Sequence, residues 1–219
     1  MPDRVGATTV AWAAWAAVLL LISAVVAFAV IRVMTDLPLV FAGRAAENGS
    51  FEERYVRNAV PAYLHIVPGV IYLVGACFQL SRRFRERHWP THRRLGRTVL
   101  VAGIVSGSFA LVFGVPHSYG GFWQSVATVV FSSYFLVALG LAFRAIVRRD
   151  VRNHRRWMIR AFAVGLAVGT IRLWVGVLVG FGDIPLQQGF APAFWLAFSM
   201  HVAAAEVWLR WASPMPLDR

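Results

Sequence analysis

Two stretches organise this sequence: RRFRERHWPTHRRLGR at residues 82–97 and RAIVRRDVRNHRRWMIR at residues 144–160. Each holds seven arginines against a single acid, Glu86 in the first and Asp150 in the second. Each is bounded on both sides by a long apolar run. Working outward from them, six runs stand out, at residues 10–31, 62–80, 98–115, 122–143, 159–181 and 190–212. A tilted helix needs about 20 apolar residues to cross the hydrocarbon of a bilayer. The expected fold is therefore all-α, a polytopic membrane protein of six transmembrane helices. Composition agrees: 58% of residues are hydrophobic and 15% charged, where a soluble domain carries about 25% charged residues. The first run has 22 residues, longer than the roughly 7–15 of a signal-peptide core, and only Arg4 precedes it. It reads as a retained helix.

Arginine also sets the expected orientation. All 22 basic residues are arginine, and net charge is +12. Cytoplasmic loops of membrane proteins carry the excess of basic residues. The complete absence of lysine suggests a GC-rich bacterial genome, and the two arginine-rich loops are thus expected in the cytoplasm of a bacterium, together with both termini, and the protein in the plasma (inner) membrane. The loops around His117 and Asp183 have no arginine, and residues 32–57 balance four arginines with four acids. Arginines confined to short segments between spans point to anionic lipid headgroups as partner, not nucleic acid.

Residues 32–61 form the one long external loop. Within it Ser50 and Glu53 fit a capping box, and Phe51, Tyr55 and Ala59 fall at helical spacing, so a short helix is expected on the outer surface. Displaced by 62, the sequence matches itself without a gap. Between Tyr72 and Val115, 12 of 44 positions agree, including His92-Arg93-Arg94 with His154-Arg155-Arg156 and Gly103, Gly107 and Gly114 with Gly165, Gly169 and Gly176. Residues 62–115 and 122–181 are read as tandem helix–loop–helix repeats forming a central four-helix bundle, related about the membrane normal. Thr91 and Asn153 are good N-cap residues, so the third and fifth spans are expected to begin at His92 and His154. Arg93, Arg94, Arg155 and Arg156 would then occupy a first turn, where the helix dipole opposes positive charge and an anion is wanted.

Three groups of residues are candidates for chemistry. His92 and His154, at one depth, are able to ligate the iron of a haem b axially or to contact headgroups. Arg93, Arg94, Arg97, Arg155, Arg156 and Arg160 form a cytoplasmic basic edge. His65, Arg172, His201 and Glu206 are ionisable residues inside spans, where such groups are costly and mark function or a structural bridge. Arg172 is expected to face the interior and pair with His201 or Glu206. Cys77, the single cysteine, reads as a small buried hydrophobe. There is no GxSxG, no phosphate loop with lysine and no HExxH, which leaves enzymatic activity open.

His65 early in a helix, HRRLGR at 92–97, HRRWMIR at 154–160, then Arg172 and Glu206 together resemble the bacterial membrane proteins grouped as the domain of unknown function 2306, over roughly residues 62–210. The resemblance implies a multi-pass bacterial membrane protein and carries no activity. The layout is also similar to four-helix membrane cytochromes of the b type, by analogy of fold alone. Three functions follow as expectations. The first is binding of a lipid, quinone or small anion through the basic edge and the intramembrane polar cluster. The others are electron transfer by haem, and a structural or assembly role with a membrane-protein partner or a second copy of the chain. For orientation, cysteines introduced near Arg85 or Asp150 are expected to be shielded from an impermeant thiol reagent in intact cells, and those near His117 or Asp183 to react. The reverse pattern overturns the topology.

Overall fold

The computed structural model describes residues 4–211, with side chains from residue 12 onward. The described residues form eight α-helices and no strand: α1 (Arg4–Phe41), α2 (Glu53–Arg57), α3 (Ala59–Leu80), α4 (Arg82–Arg87), α5 (Trp89–Gly114), α6 (Gly121–Val147), α7 (Val151–Gly180) and α8 (Leu186–Trp211). Six of them, all but α2 and α4, are long and apolar enough to cross a membrane. The chain is an all-helical membrane protein. Contacts of α3 with α5, α5 with α6, α6 with α7 and α7 with α3 close a ring of four helices. α8 packs on α6 and α7, and α1 lies against α3 and α7.

Helix boundaries differ from the sequence reading in three places, each for a local reason. α1 does not stop at residue 31 but continues through Arg32 and Asp36 to Phe41. Those two charges lie one turn apart, with Arg32 Nη1 3.5 Å from Asp36 Oδ1. They are 4% and 0% exposed, so the helix carries its charges inward as a pair instead of ending where charge begins. The stretch expected as a loop over 32–61 thereby loses its first ten residues to α1. Its short helix is α2, and the cap is a variant of the expected box. Ser50 Oγ accepts from Glu53 N at 3.2 Å, but Glu53 Oε2 accepts from Gly49 N at 2.7 Å. That bond, with Arg57 beside it, holds the Glu53 carboxyl below its usual pKa. α2 turns its apolar side into the protein. Tyr55 is 7% exposed, and Phe51 packs among Phe28, Tyr55, Tyr119 and Phe190.

The third difference concerns the histidines. α5 begins at Trp89, with Pro90 in its first turn and His88 at the cap. Proline is pre-organised for a first turn, and this outweighs Thr91 as a cap. α7 begins at Val151 because Asp150, not Asn153, caps it, accepting from Asn153 N at 3.0 Å and Asn153 Nδ2 at 2.6 Å. The same backbone N–H holds the Asp150 carboxyl below its usual pKa. His92 and His154 are each the fourth residue of their helix. The arginines after them lie beyond the first turn, where the dipole's effect has fallen off.

Tyr72 lies within the buried core of the ring. It is 2% exposed, with Phe135 edge-on at 5.1 Å. A Cβ at Gly103 would lie 2.8 Å from Tyr72 Cδ2, and one at Gly165 3.0 Å from Tyr72 Cε1. Gly169 admits α1: a Cβ there would meet the Leu21 carbonyl oxygen at 2.8 Å, whereas one at Gly176 would meet nothing within 4 Å. Gly169→Ala is expected to cost about 1–3 kcal/mol through this backbone clash. Gly176→Ala should stay within about 0.5 kcal/mol of wild type. Unfolding in detergent micelles checks both.

Candidate functional site

At the end of the bundle away from the arginine-rich stretches, α2, the α5–α6 turn and the start of α8 meet in an aromatic cluster. Phe51 lies 5.2 Å from Tyr119 and 5.3 Å from Phe190, and Tyr55 lies 5.1 Å from Phe113. Three guanidiniums enter this cluster. Arg32 lies 5.5, 5.4 and 5.2 Å from the Phe28, Phe51 and Tyr55 ring centres. It donates to Glu52 Oε1 at 2.9 Å, while its Nε and Nη1 are buried without a hydrogen bond. Arg54 sits 4.2 Å over Phe51 and 4.9 Å over Tyr55. It donates to the His117 carbonyl at 3.3 Å and to Tyr55 Oη at 3.4 Å, and its buried Nε has no partner. Burial lowers the Arg54 pKa from its usual value. Arg172 sits 4.0 Å over Phe28 and donates to the Val168 carbonyl of its own helix at 3.0 Å. Among the described residues, the ion pairs involve Arg32, Arg57, Arg82 and Arg160. Neither Arg54 nor Arg172 has a carboxylate within 4.0 Å.

Beneath the cluster is a partly open cavity of about 190 Å³. Its wall is mostly apolar and aromatic, with Arg54, His65, Ser106, Arg172 and Tyr72 among the polar exceptions and no acidic residue. His65 is fixed by a clasp between α3 and α5. Its Nδ1 lies 2.9 Å from the Ser106 carbonyl, and Ser106 Oγ donates to the His65 carbonyl at 2.8 Å. A carbonyl only accepts, so Nδ1 bears the proton. Tyr72 is two helical turns further along α3, roughly 10 Å deeper, and its hydroxyl is buried without a partner. The polar wall thus carries more donors than acceptors.

The structure brings His65 and Arg172 together on this cavity and separates them from the other candidates. His201 Nε2 lies 2.7 Å from Thr170 Oγ1. Glu206 takes both oxygens to Arg160, at 2.6 and 2.9 Å, and Arg160 stacks 4.6 Å over Trp157. The expected pairing of Arg172 with His201 or Glu206 is not formed. Thr170 faces α8, and Arg172, two residues on, is rotated about 200° around the helix axis. At the other end His154 Nδ1 lies 2.9 Å from the Ala142 carbonyl. His92 stacks on Trp89 at 5.6 Å, and its Nδ1 is buried without a bond. Arg93, Arg94, Arg97 and Arg155 are exposed and Arg156 half-buried. None of these seven side chains lines the cavity. No cluster of three or more metal-ligating side chains occurs among the described residues. Sequence reasoning passed over Arg32, Asp36, Glu52, Arg54 and Tyr72. The i, i+4 spacing of Arg32 and Asp36 was the available signal that α1 runs on. For Arg54 and Tyr72 there was none, since an arginine in a charge-balanced loop and a tyrosine in an apolar run look ordinary.

Residues 62–209 match the family described as a predicted membrane protein, DUF2306. The chain belongs to this family. No curated protein and no solved structure matches it. In this DUF2306 protein the matched range holds His65, Tyr72 and Arg172, while Arg32, Asp36 and Arg54 precede it. Two substitutions at the cavity wall should have opposite signs in ligand-free protein. Tyr72→Phe deletes an unpartnered hydroxyl and is expected to be neutral or to raise stability by about 1 kcal/mol. Ser106→Ala breaks the α3–α5 clasp and is expected to lower it by about 1–2 kcal/mol. Thermal unfolding in the same detergent compares them.

Proposed function

We propose that this DUF2306 protein binds an anionic amphiphile inside the membrane, with a carboxylate or phosphate head at Arg172 and Arg54 and an apolar tail along the aromatic wall. The observation that carries this reading is the Arg172 guanidinium, which lines an apolar cavity with one backbone carbonyl and no carboxylate as its polar company. An unpaired guanidinium at membrane depth costs at least a few kcal/mol. Such a cost is tolerated where a ligand supplies the missing charge. The unbonded Nε of Arg54 and hydroxyl of Tyr72 ask for the same chemistry, oxygen acceptors on a ligand. Read with the arginine distribution, the cavity end faces outward from a bacterial plasma membrane, and the arginine-rich loops and both termini face the cytoplasm. The expected ligand site is then at the opposite face from the basic edge that the sequence pointed to.

Haem receives no support from the cavity, because His92 and His154 are not in its wall. A visible spectrum before and after reduction, without a Soret band, is the expected result. The binding reading is tested by calorimetry with protein in lipid nanodiscs, titrated with decanoate, decyl phosphate and decanol, with empty discs subtracted. The two anions are expected to bind at least about tenfold tighter than the alcohol, a difference of about 1.4 kcal/mol. Arg172→Leu should erase that difference and Arg160→Leu should preserve it. Equal affinity for decanoate and decanol would sink the proposal.

A further inference from the structure

A second hollow adjoins the cavity. It is an open crevice of about 490 Å³ at the same end of the bundle, polar in character, with Glu53, Arg57, Asn58, His117 and Gln187 in its wall. One residue lines both spaces, Arg54. Its side chain touches both.

The way Arg54 is held is unusual for a structural arginine. Its two hydrogen bonds are long, 3.3 Å to the His117 carbonyl and 3.4 Å to Tyr55 Oη. No ion pair anchors it. The adjacent carboxylate of Glu53 is occupied by Gly49 N at 2.7 Å and Arg57 Nη1 at 2.9 Å. What remains is stacking on Phe51, Tyr55, Tyr119 and Phe190, at 4.2, 4.9, 5.4 and 5.9 Å. Cation–π contacts attract the guanidinium to the ring faces but give it no counter-charge and no oxygen acceptor. The guanidinium also retains an unbonded buried Nε. It sits on α2, a helix of five residues joined to α1 by a non-helical segment. An anion that offers such a cation charge-assisted bonds competes with the rings for it.

We infer that the crevice is the port through which the ligand's anionic head arrives from water, and that Arg54 is the gate between this port and the cavity. An anion in the crevice draws the guanidinium off the aromatic rings. The head then passes to Arg172, and Arg54 returns over it from the other side. This assigns the crevice as a binding site for a water-borne amphiphilic anion, such as a fatty carboxylate or alkyl phosphate, and makes the aqueous phase its source, not the bilayer interior. The inference rests on the binding reading above for the identity of the cargo, but the passage is testable without that cargo.

The test uses a single cysteine in the cavity wall. Ser132 lines the cavity, so Ser132→Cys is placed in a Cys77→Ser background, and the protein is reconstituted in nanodiscs. Its modification is timed with two small water-soluble thiol reagents, sulfonatoethyl methanethiosulfonate (anionic) and trimethylammonioethyl methanethiosulfonate (cationic), each normalised to its rate with a free thiol. The anionic reagent is expected to react faster by about tenfold, as a cationic constriction should impose. Adding Arg54→Ala should speed the cationic reagent by about tenfold and shrink the ratio, while Arg54→Lys should keep the ratio. The charge preference with Arg54 intact needs no gate variant, so misfolding of Arg54→Ala does not shield the idea. A cationic reagent as fast as the anionic one, no modification by either, or a rate indifferent to Arg54→Ala would each overturn it. The two proposals fail separately. If decanoate binds but its association rate ignores Arg54, the cargo comes from the lipid and only the gate falls. If the reagents obey Arg54 while decanoate and decanol bind alike, the gate stands and the cargo is wrong.

Discussion

The Tyr72 ring lies between Gly103 of α5 and Gly165 of α7, with Phe135 of α6 against its edge. Each of the four ring helices therefore contributes to this one contact, and α3 supplies the side chain. Without a hydrophobic driving force between helices in lipid, association depends on such close packing of small residues against a neighbour. The glycines let α5 and α7 come up to the ring. On one side of Tyr72 the bundle closes by the packing of side chains such as Val99 and Leu139, 1% and 0% exposed. On the other side the space between the helices stays open as the cavity, and the unpartnered hydroxyl belongs to its wall.

The molecule solves the problem of charge within a membrane in two ways. Arg160 and Glu206 meet in a bidentate pair at the edge of the spans, and Arg32 is shared between Asp36 and Glu52. These pairs neutralise themselves. Arg54 and Arg172 do not, and aromatic faces are their main neighbours. The contrast is local: Arg160 and Arg172 lie on the same helix, one satisfied and one open. A structural role accounts for the first. The second is the arrangement expected where electrostatic attraction is held in reserve for a ligand.

The six spans were legible in the sequence because crossing hydrocarbon demands about 20 apolar residues in an unbroken run, a property of local composition. Belonging to the DUF2306 family was legible from HRRLGR, HRRWMIR and the isolated polar residues between them. His65 and Arg172 also stood out, since an ionisable residue in an apolar run is visible without any fold. Their common cavity was not. Whether Arg172 turns toward His201 or toward Phe28 depends on the rotation of about 200° between Thr170 and Arg172, two residues apart on α7, and on which helix packs on each face. The start of α5 at Trp89 turned on Pro90 against Thr91, two local signals of which the proline prevailed. The reach of α1 to Phe41 turned on whether Arg32 and Asp36 found each other or water. Composition along the chain thus determined the number of spans and the rarity of their charges. Tertiary structure decided which charges cancel, since an ion pair requires two helices to bring particular faces together, and it left Arg54 and Arg172 without counter-ions around a space that no single helix encodes.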